Sequence, residues 1–154
     1  MTQSAEKVYF ATAWSVFSID KADNAVEFLS ETDGLSQTGV ELVEYNQFSD
    51  ILLVVYDDAV IDLVKEREII TLTQIRNFQN ILGEKRVNDI FVENDSIVYL
   101  ATSYGVSQLN VRSDIFTFTT QTPVNVEDVI VADGFIYAAT QEGIYRVNAD
   151  NFLI

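Results

Sequence analysis

Short apolar runs separated by turn residues follow one another along the chain, and one phrase recurs. An apolar run ending in small residues leads into a tight turn and a further apolar run, at 8–16, 52–60, 98–106 and 136–144. Successive copies of the Val or Ile that ends the phrase are separated by 44, 46 and 38 residues. A repeat of roughly 40–45 residues built from short strands is typical of a β-propeller blade.

The repeats predict antiparallel strands joined by hairpin turns. In the third and fourth repeats we predict strands at 87–92, 97–102, 106–111, 115–119, 126–131, 135–140 and 144–147. Asp133-Gly134 and Glu142-Gly143 lie at turns that need positive φ. In the first two repeats we predict strands at 7–12, 16–19, 26–29, 40–45, 50–56, 60–64 and 69–72. No inner strand is predicted before residue 6, residues 75–82 allow at most one helical turn, and Asn151–Ile154 is interpreted as the start of an outer strand.

We therefore predict an all-β fold of four-stranded antiparallel blades, a partial β-propeller of about 3.5 to 4 blades. It forms one domain over 1–154, with blade repeats at 6–36, 37–82, 83–122 and 123–154. Because an unclosed ring leaves open edges and apolar faces, we expect one of three outcomes. These are a homodimer through open blade edges, association with the missing part of its own propeller, or an open arc. The early first strand suggests a cut rather than a natural start.

Small residues recur at the end of the phrase, at Ala11-Thr12, Ala101-Thr102 and Ala138-Ala139-Thr140. Strands near a propeller axis pack closely, which favours small side chains. The threonines could line a ligand ring around a central channel. We favour close packing and hydrogen bonding within the turns.

The chain is strongly acidic, with 24 Asp and Glu against 9 Lys and Arg and a formal net charge of −15. This charge disfavours nucleic acid and anionic membranes as partners, and we interpret it as ordinary solubility. The absence of Cys and His removes disulfides, the usual zinc ligands and the usual general base. A carbohydrate-active enzyme would need convergent carboxylates, usually with a His or Tyr. We predict no enzyme activity, no catalytic residue, no cofactor and no metal.

No run approaches the roughly 18–20 apolar residues of a membrane span, so no membrane insertion is expected. Residues 1–10 lack the basic and apolar regions of a signal peptide.

Two resemblances follow from particular residues. Asp33-Gly34-Leu35, followed by Val40, resembles the Asp-Gly-Leu signature between blades of the two-component-regulator propeller family. A closer resemblance, to the N-terminal propeller of the PorZ family of type IX secretion proteins of Bacteroidetes, runs in order through 60–64, 81–90, 99–106 and 136–146. The block Gly83–Ile90 is its most specific part, and we interpret this block as non-repeating. The chain departs from the usual Gly at two turns, Ala13-Trp14-Ser15 and Asp57-Asp58-Ala59.

The PorZ resemblance implies a large exported protein with two propellers and a C-terminal β-domain, working in a cell-surface complex that links cargo to anionic lipopolysaccharide. It implies a non-catalytic interaction module at the periplasm or outer-membrane surface, with other secretion-complex proteins as partners. The alternative is the extracellular ligand-sensing propeller of a hybrid two-component regulator, which predicts a downstream membrane span and kinase.

Four residues are candidates for partner binding. Lys85 and Arg86, in the only cluster of positive charge, could hold an acidic partner or a phosphate, or pair with nearby carboxylates. Trp14 and Tyr104, at matching turns of the first and third repeats, could bind a partner or pack between blades.

Acidic clusters are candidates for a hard cation, which takes several oxygens from one loop. They are Asp57-Asp58 with Asp62, and the segments 20–24 and 93–95. We favour solvated turn carboxylates at all of them.

Overall fold

The computed structural model describes residues 1–81 and 83–152. The chain divides into two compact units, 1–77 and 78–154. Each unit is built of antiparallel sheets whose strands follow one another in sequence order. The all-β class and the antiparallel blades predicted from the repeats, about 3.5 to 4 in number, are confirmed.

The first unit contains two four-stranded sheets. The first sheet comprises β1 (Thr2–Gln3), β2 (Lys7–Ala11), β3 (Val16–Asp20) and β4 (Val26–Leu29). The second sheet comprises β5 (Val40–Asn46), β6 (Ile51–Tyr56), β7 (Ile61–Val64) and β8 (Ile69–Leu72). The helical turn expected in this region is confirmed as α1 (Gln74–Asn77).

The prediction that no strand precedes residue 6 is wrong. Thr2 pairs with Tyr9 and Gln3 with Val8, so β1 completes the first sheet. Neither residue is apolar, and two residues give no alternation that a sequence pattern could reveal.

Over residues 78–81 and 83–152, the second unit contains one four-stranded and one three-stranded sheet. The third sheet comprises β9 (Val87–Val92), β10 (Ile97–Thr102), β11 (Gly105–Asn110) and β12 (Ile115–Thr119). The fourth sheet comprises β13 (Val126–Ala132), β14 (Phe135–Thr140) and β15 (Gly143–Asn148). An outer strand was predicted to start at 151, but Ala149–Phe152 forms a 3-10 turn and Leu153 and Ile154 lie outside the described residues.

Within each unit an apolar cluster lies between the two sheets. In the first unit the buried cluster includes Val16, Leu52 and Val54, with Tyr9 and Ala11 packed against it. In the second unit it consists of Tyr99, Ala101, Val106, Val126, Val129, Ile136 and Ala138. The recurring phrase therefore supplies much of the packing between neighbouring sheets.

A β-bulge recurs near the start of the first strand in three sheets. Pairing shifts across Glu41 in β5, Asn88 in β9 and Glu127 in β13. The segments around the extra residue share a pattern of Val, two variable residues and Val or Ile, at 40–43, 87–90 and 126–129. The interpretation of Gly83–Ile90 as non-repeating is therefore wrong for its second half, which is an ordinary part of the blade.

Candidate interaction surfaces

Trp14 lies on the turn between β2 and β3, with 75% of its surface exposed. The Thr12 hydroxyl donates to the Ser15 carbonyl oxygen at 3.1 Å and accepts from the Trp14 amide at 3.3 Å. The Gly39 amide also donates to the Ala13 carbonyl oxygen, at 2.7 Å. A large aromatic side chain is thus presented to solvent by a backbone that is held on both sides.

The same threonine bond recurs at the matching turns of the second unit. Thr102 Oγ1 donates to the Gly105 carbonyl oxygen at 2.8 Å, and Thr140 Oγ1 donates to that of Gly143 at 2.9 Å. The preferred interpretation of these threonines, hydrogen bonding within the turns, is confirmed.

Tyr104 differs from Trp14, because only 7% of its surface is exposed. Its hydroxyl lies 3.4 Å from Ser107 Oγ, and burial raises the pKa of the phenol. The expectation that Tyr104 is available to a partner is therefore wrong. Its ring is buried in the protein, which agrees with packing, the alternative to partner binding that the sequence left open.

Arg86 is half-exposed and its Nε lies 3.0 Å from Glu84 Oε1. The segment is fixed to the turn that follows β10, since the Arg86 amide donates to Ser103 Oγ at 3.1 Å and the Ser103 amide donates to the Arg86 carbonyl oxygen at 3.0 Å. Lys85 is half-buried. The ion-pair interpretation is confirmed for Arg86, whose charge is already matched by a neighbouring carboxylate.

Asp62 is fully buried, so the interpretation of its cluster as solvated turn carboxylates is wrong for this residue. Its carboxylate accepts from the Tyr56 hydroxyl at 2.6 Å, the Ser36 amide at 2.7 Å and the Thr71 hydroxyl at 2.7 Å. The Ser36 bond fastens the segment after Asp33-Gly34-Leu35 onto the second sheet. Burial and the Asp62 hydrogen bond raise the pKa of Tyr56, which keeps this phenol a donor.

Asp58 also serves the protein itself. Its carboxylate accepts from the Gln37 side chain at 2.8 Å, the Val60 amide at 3.2 Å and Arg76 at 3.1 Å. Burial acts to raise its pKa, but these donors outweigh burial and lower it. Within residues 1–81 and 83–152, no group of three or more Asp, Glu, His or Cys side chains is placed to hold a metal ion.

Asp89 and Asp128 form a different kind of acidic site, on the first strands of the third and fourth sheets. Burial, and then the neighbouring Asp128 carboxyl, raise the pKa of Asp89. A second carboxyl group at close range disfavours ionisation of Asp89.

A cleft of about 290 Å³ lies between the two sheets of the first unit. The rings of Tyr9 and Tyr45 stack within it, with centroids 5.5 Å apart. Lys7 pairs with Glu27 at its rim, and the Tyr45 hydroxyl donates to Asp50 Oδ1 at 2.8 Å. Aromatic faces beside groups of both charge signs suit a polar ligand with an apolar side.

A second cleft, of about 410 Å³, lies in the second unit beside β15 and is lined mainly by apolar side chains. Thr120, Gln121 and Thr122, between the third and fourth sheets, form one wall. In the first unit the corresponding place is filled, since Ile69 of β8 lies 3.2 Å from where a Cβ on Gly34 would stand. The cleft lies beside β15, the last strand in the described part of the fourth sheet.

None of the helices within the described ranges is long and apolar enough to cross a membrane.

The sequential meander of each sheet, the strand-end turns and the recurring bulge define a partial β-propeller. Over residues 8–153 the chain matches the model of the type IX secretion system PorZ N-terminal beta-propeller domain, and it belongs to that family. The family is a propeller of a secretion-system component, and not a known family of enzymes. No curated protein matches the sequence significantly.

Solved structures agree on the fold. PorZ of Porphyromonas gingivalis matches with a TM-score of 0.86 at 18% identity, over 97% of this chain and 20% of that one. The extracellular domain of the putative hybrid two-component system BT4673 from B. thetaiotaomicron matches at 0.72 and 8% identity, over 94% and 19%. AztD of Citrobacter koseri matches at 0.71 and 13%, over 98% and 44%. The chain thus spans about a fifth of the length of PorZ.

Proposed function

We propose that this chain is a non-catalytic interaction module of an exported type IX secretion protein, acting at the periplasm or outer-membrane surface. The family match over 8–153 carries the proposal. Support also comes from PorZ, which is described as an essential bacterial surface component of the type IX secretion system. The partners are other proteins of the secretion complex.

Trp14 is the contact residue that we favour. Truncation of a central interface tryptophan commonly costs 2 kcal/mol or more of binding free energy. The turn that carries Trp14 is already ordered by Thr12 and Gly39, so little conformational entropy is lost on binding.

The test uses purified surface components of a type IX system, each immobilised and titrated with this chain. We expect Trp14→Ala to weaken binding to one component by at least about tenfold. Phe48→Ala is the matched control, because Phe48 is also exposed and belongs to the same unit. Equal affinities of the wild type and Trp14→Ala would exclude the Trp14 contact, and no binding to any component would count against the proposed function.

Lys85 and Arg86 stand as a second proposed contact for an acidic partner. The Glu84 partner of Arg86 weakens this candidate, because an incoming carboxylate would have to compete with an existing ion pair. If the contact forms, Lys85→Ala combined with Arg86→Ala lowers affinity and reduces its salt dependence.

The alternative function is an extracellular ligand-sensing propeller. It is favoured by the similarity to BT4673 and by the cleft that contains Tyr9 and Tyr45. Titration of a panel of neutral oligosaccharides, followed by tyrosine fluorescence or NMR, tests it. Saturable binding that Tyr45→Ala abolishes would favour sensing, while a transmembrane helix and kinase in the parent gene would contradict the secretion proposal.

Self-association through open blade edges is a further part of the proposal. Within the described residues β15 pairs only with β14, and Tyr145, which belongs to β15, is partly exposed. An unpaired edge is a template for another strand. Light scattering behind size-exclusion chromatography tests this, and a clean monomer at micromolar concentration would exclude it.

A further inference from the structure

One face of the first sheet is an apolar surface open to solvent. Its members alternate along β2, β3 and β4 and lie opposite one another across the strands. We call this set the phenylalanine face: Val8, Phe10, Phe17, Ile19, Val26 and Phe28. The ring of Phe17 lies 5.1 Å from that of Phe10 and 6.1 Å from that of Phe28. Phe28 is 68% exposed, and large exposed apolar patches mark interaction sites.

The opposite face of the first sheet is already used. Tyr9, Ala11 and Val16 lie on it and pack against the second sheet within the first unit. The phenylalanine face is therefore the side that the first unit leaves without a neighbouring sheet.

Strand register shows what kind of contact this side makes. Phe10 precedes Ala11, which pairs with Val16 across the turn. Ala138 holds the same place in the fourth sheet, since Ala139 pairs with Ile144. Ala138 and Ile136 pack against the third sheet, as the equivalent Val54 and Leu52 of the second sheet pack against the first. The residues of the phenylalanine face thus hold the positions that, in the second and fourth sheets, contact the preceding blade.

The complementary half of such a contact also exists on this chain. Inside the two units it is made by Tyr9, Ala11 and Val16, and by Tyr99, Ala101 and Val106. The equivalent residues of the fourth sheet are Tyr137, Ala139 and Ile144, which we call the tyrosine face. Ile144 is 74% exposed, so this half is open as well.

We propose that the phenylalanine face of one copy receives the tyrosine face of a second copy. The inference deepens the self-association proposed above and places it on sheet faces rather than strand edges. In a dimer this contact would repeat the blade–blade contact that is found within each unit. Because each copy carries a formal net charge of −15, association should strengthen with salt.

Matched substitutions test the faces by sedimentation or light scattering over a concentration series. We expect Phe28→Ser and Ile144→Ser each to raise the dimer dissociation constant by at least about tenfold. Phe48→Ser and Ile115→Ser are the controls, because these side chains are 55% and 57% exposed but lie outside both faces. The controls should stay within about twofold of the wild type.

Cysteine cross-linking fixes the pairing, since the chain has no Cys of its own. F28C and I144C, each reactive to a thiol reagent and folded by circular dichroism, are oxidised separately and as a mixture. A covalent dimer that forms efficiently only in the mixture supports the proposal. Efficient cross-linking of F28C alone would mean that like faces meet, which overturns it.

The remaining outcomes distinguish the face contact from self-association in general and from binding to secretion components. A wild-type dimer unaffected by Phe28→Ser and Ile144→Ser would overturn the face contact and leave edge pairing standing. A monomer at all concentrations would overturn both the face contact and edge pairing. This result is the one expected if another polypeptide supplies the neighbouring blade. Binding to secretion components is measured independently and is not decided by either result.

Discussion

The second and third sheets differ at an equivalent buried position, which holds a carboxylate in the second sheet and a neutral hydroxyl in the third. Asp62 in β7 and Ser107 in β11 are both fully buried, and each lies opposite a threonine of the fourth strand. Asp62 accepts from Thr71 at 2.7 Å, and Ser107 Oγ lies 2.9 Å from Thr119 Oγ1.

A tyrosine hydroxyl completes each network, Tyr56 at 2.6 Å from Asp62 and Tyr104 at 3.4 Å from Ser107. The carboxylate gains one donor that the serine does not use, the Ser36 amide of the segment between the first and second sheets. The difference indicates that the buried charge serves to fasten that segment, a task that the neutral pair does not perform.

The largest disturbance of the neutral network is expected from Gly105→Ala. A Cβ at this residue would lie 1.9 Å from the Thr120 carbonyl oxygen, so the backbone that carries Thr119 must move. We expect a loss of about 3 kcal/mol or more in the free energy of unfolding, measured by urea denaturation. Gly143→Ala is the control: its φ of +138° is similarly unfavourable, but no atom lies within 4 Å, and the loss should be about 1 kcal/mol. Equal losses would show that strain, and not the clash, dominates.

Removal of the buried polar group itself should destabilise the second sheet more than the third. Asp62→Ala leaves three donors without an acceptor and should cost about 3–5 kcal/mol in the free energy of unfolding. Ser107→Ala breaks weaker neutral bonds and should cost about 1–2 kcal/mol. Chemical denaturation of both variants measures the difference, and comparable values would contradict the distinction drawn between charged and neutral networks.

The tyrosine hydroxyls provide a milder comparison. Tyr56→Phe removes a short bond to a carboxylate and should cost about 1.5–3 kcal/mol, whereas Tyr104→Phe removes a long neutral bond and should cost about 0.5–1 kcal/mol. Amide exchange gives a local check, since Tyr56→Phe should speed exchange of the Ser36 amide through weaker holding of Asp62. Faster global unfolding of Tyr104→Phe than of Tyr56→Phe would reverse the ranking.

The smallest effects concern pH, and the two units should respond with opposite sign. The pKa of Asp58 is lowered in the folded first unit, because its donors outweigh burial, so its contribution to stability is lost as pH falls through the folded pKa. The pKa of Asp89 is raised by burial and Asp128, so its ionisation opposes folding above the folded pKa, and this penalty is relieved as pH falls.

Each effect should stay below about 1 kcal/mol, because both groups are partly exposed to water. Asp58→Asn should destabilise and Asp89→Asn should stabilise the protein at pH 7, in unfolding experiments. Carboxyl NMR titration that finds both pKa values shifted in the same direction would contradict the comparison.

The repeats in the sequence predicted most of the fold, because strand alternation and turn residues are local signals. Strands predicted at 126–131 and 135–140 are found as β13 (Val126–Ala132) and β14 (Phe135–Thr140), and Asp133 and Gly134 in the turn between them take φ of 51° and 76°. β1 escaped prediction because it is stabilised by pairing with β2 rather than by its own side chains.

The site was less predictable than the fold. Trp14 and Tyr104 hold matching turn positions, yet Trp14 is exposed and Tyr104 is buried beside Ser107. Asp62 sits in a cluster of acids, and only the structure places Tyr56, Ser36 and Thr71 around it. Three-dimensional proximity of distant residues decides the second case.

The bulges at Glu41, Asn88 and Glu127 have a consequence for solubility. They lie in β5, β9 and β13, each of which is an edge strand of its sheet. A bulge interrupts the row of backbone donors and acceptors that an incoming strand would need, and it twists the edge away from such pairing. The bulge therefore protects these edges against aggregation, and it recurs with the strand in each of the three repeats.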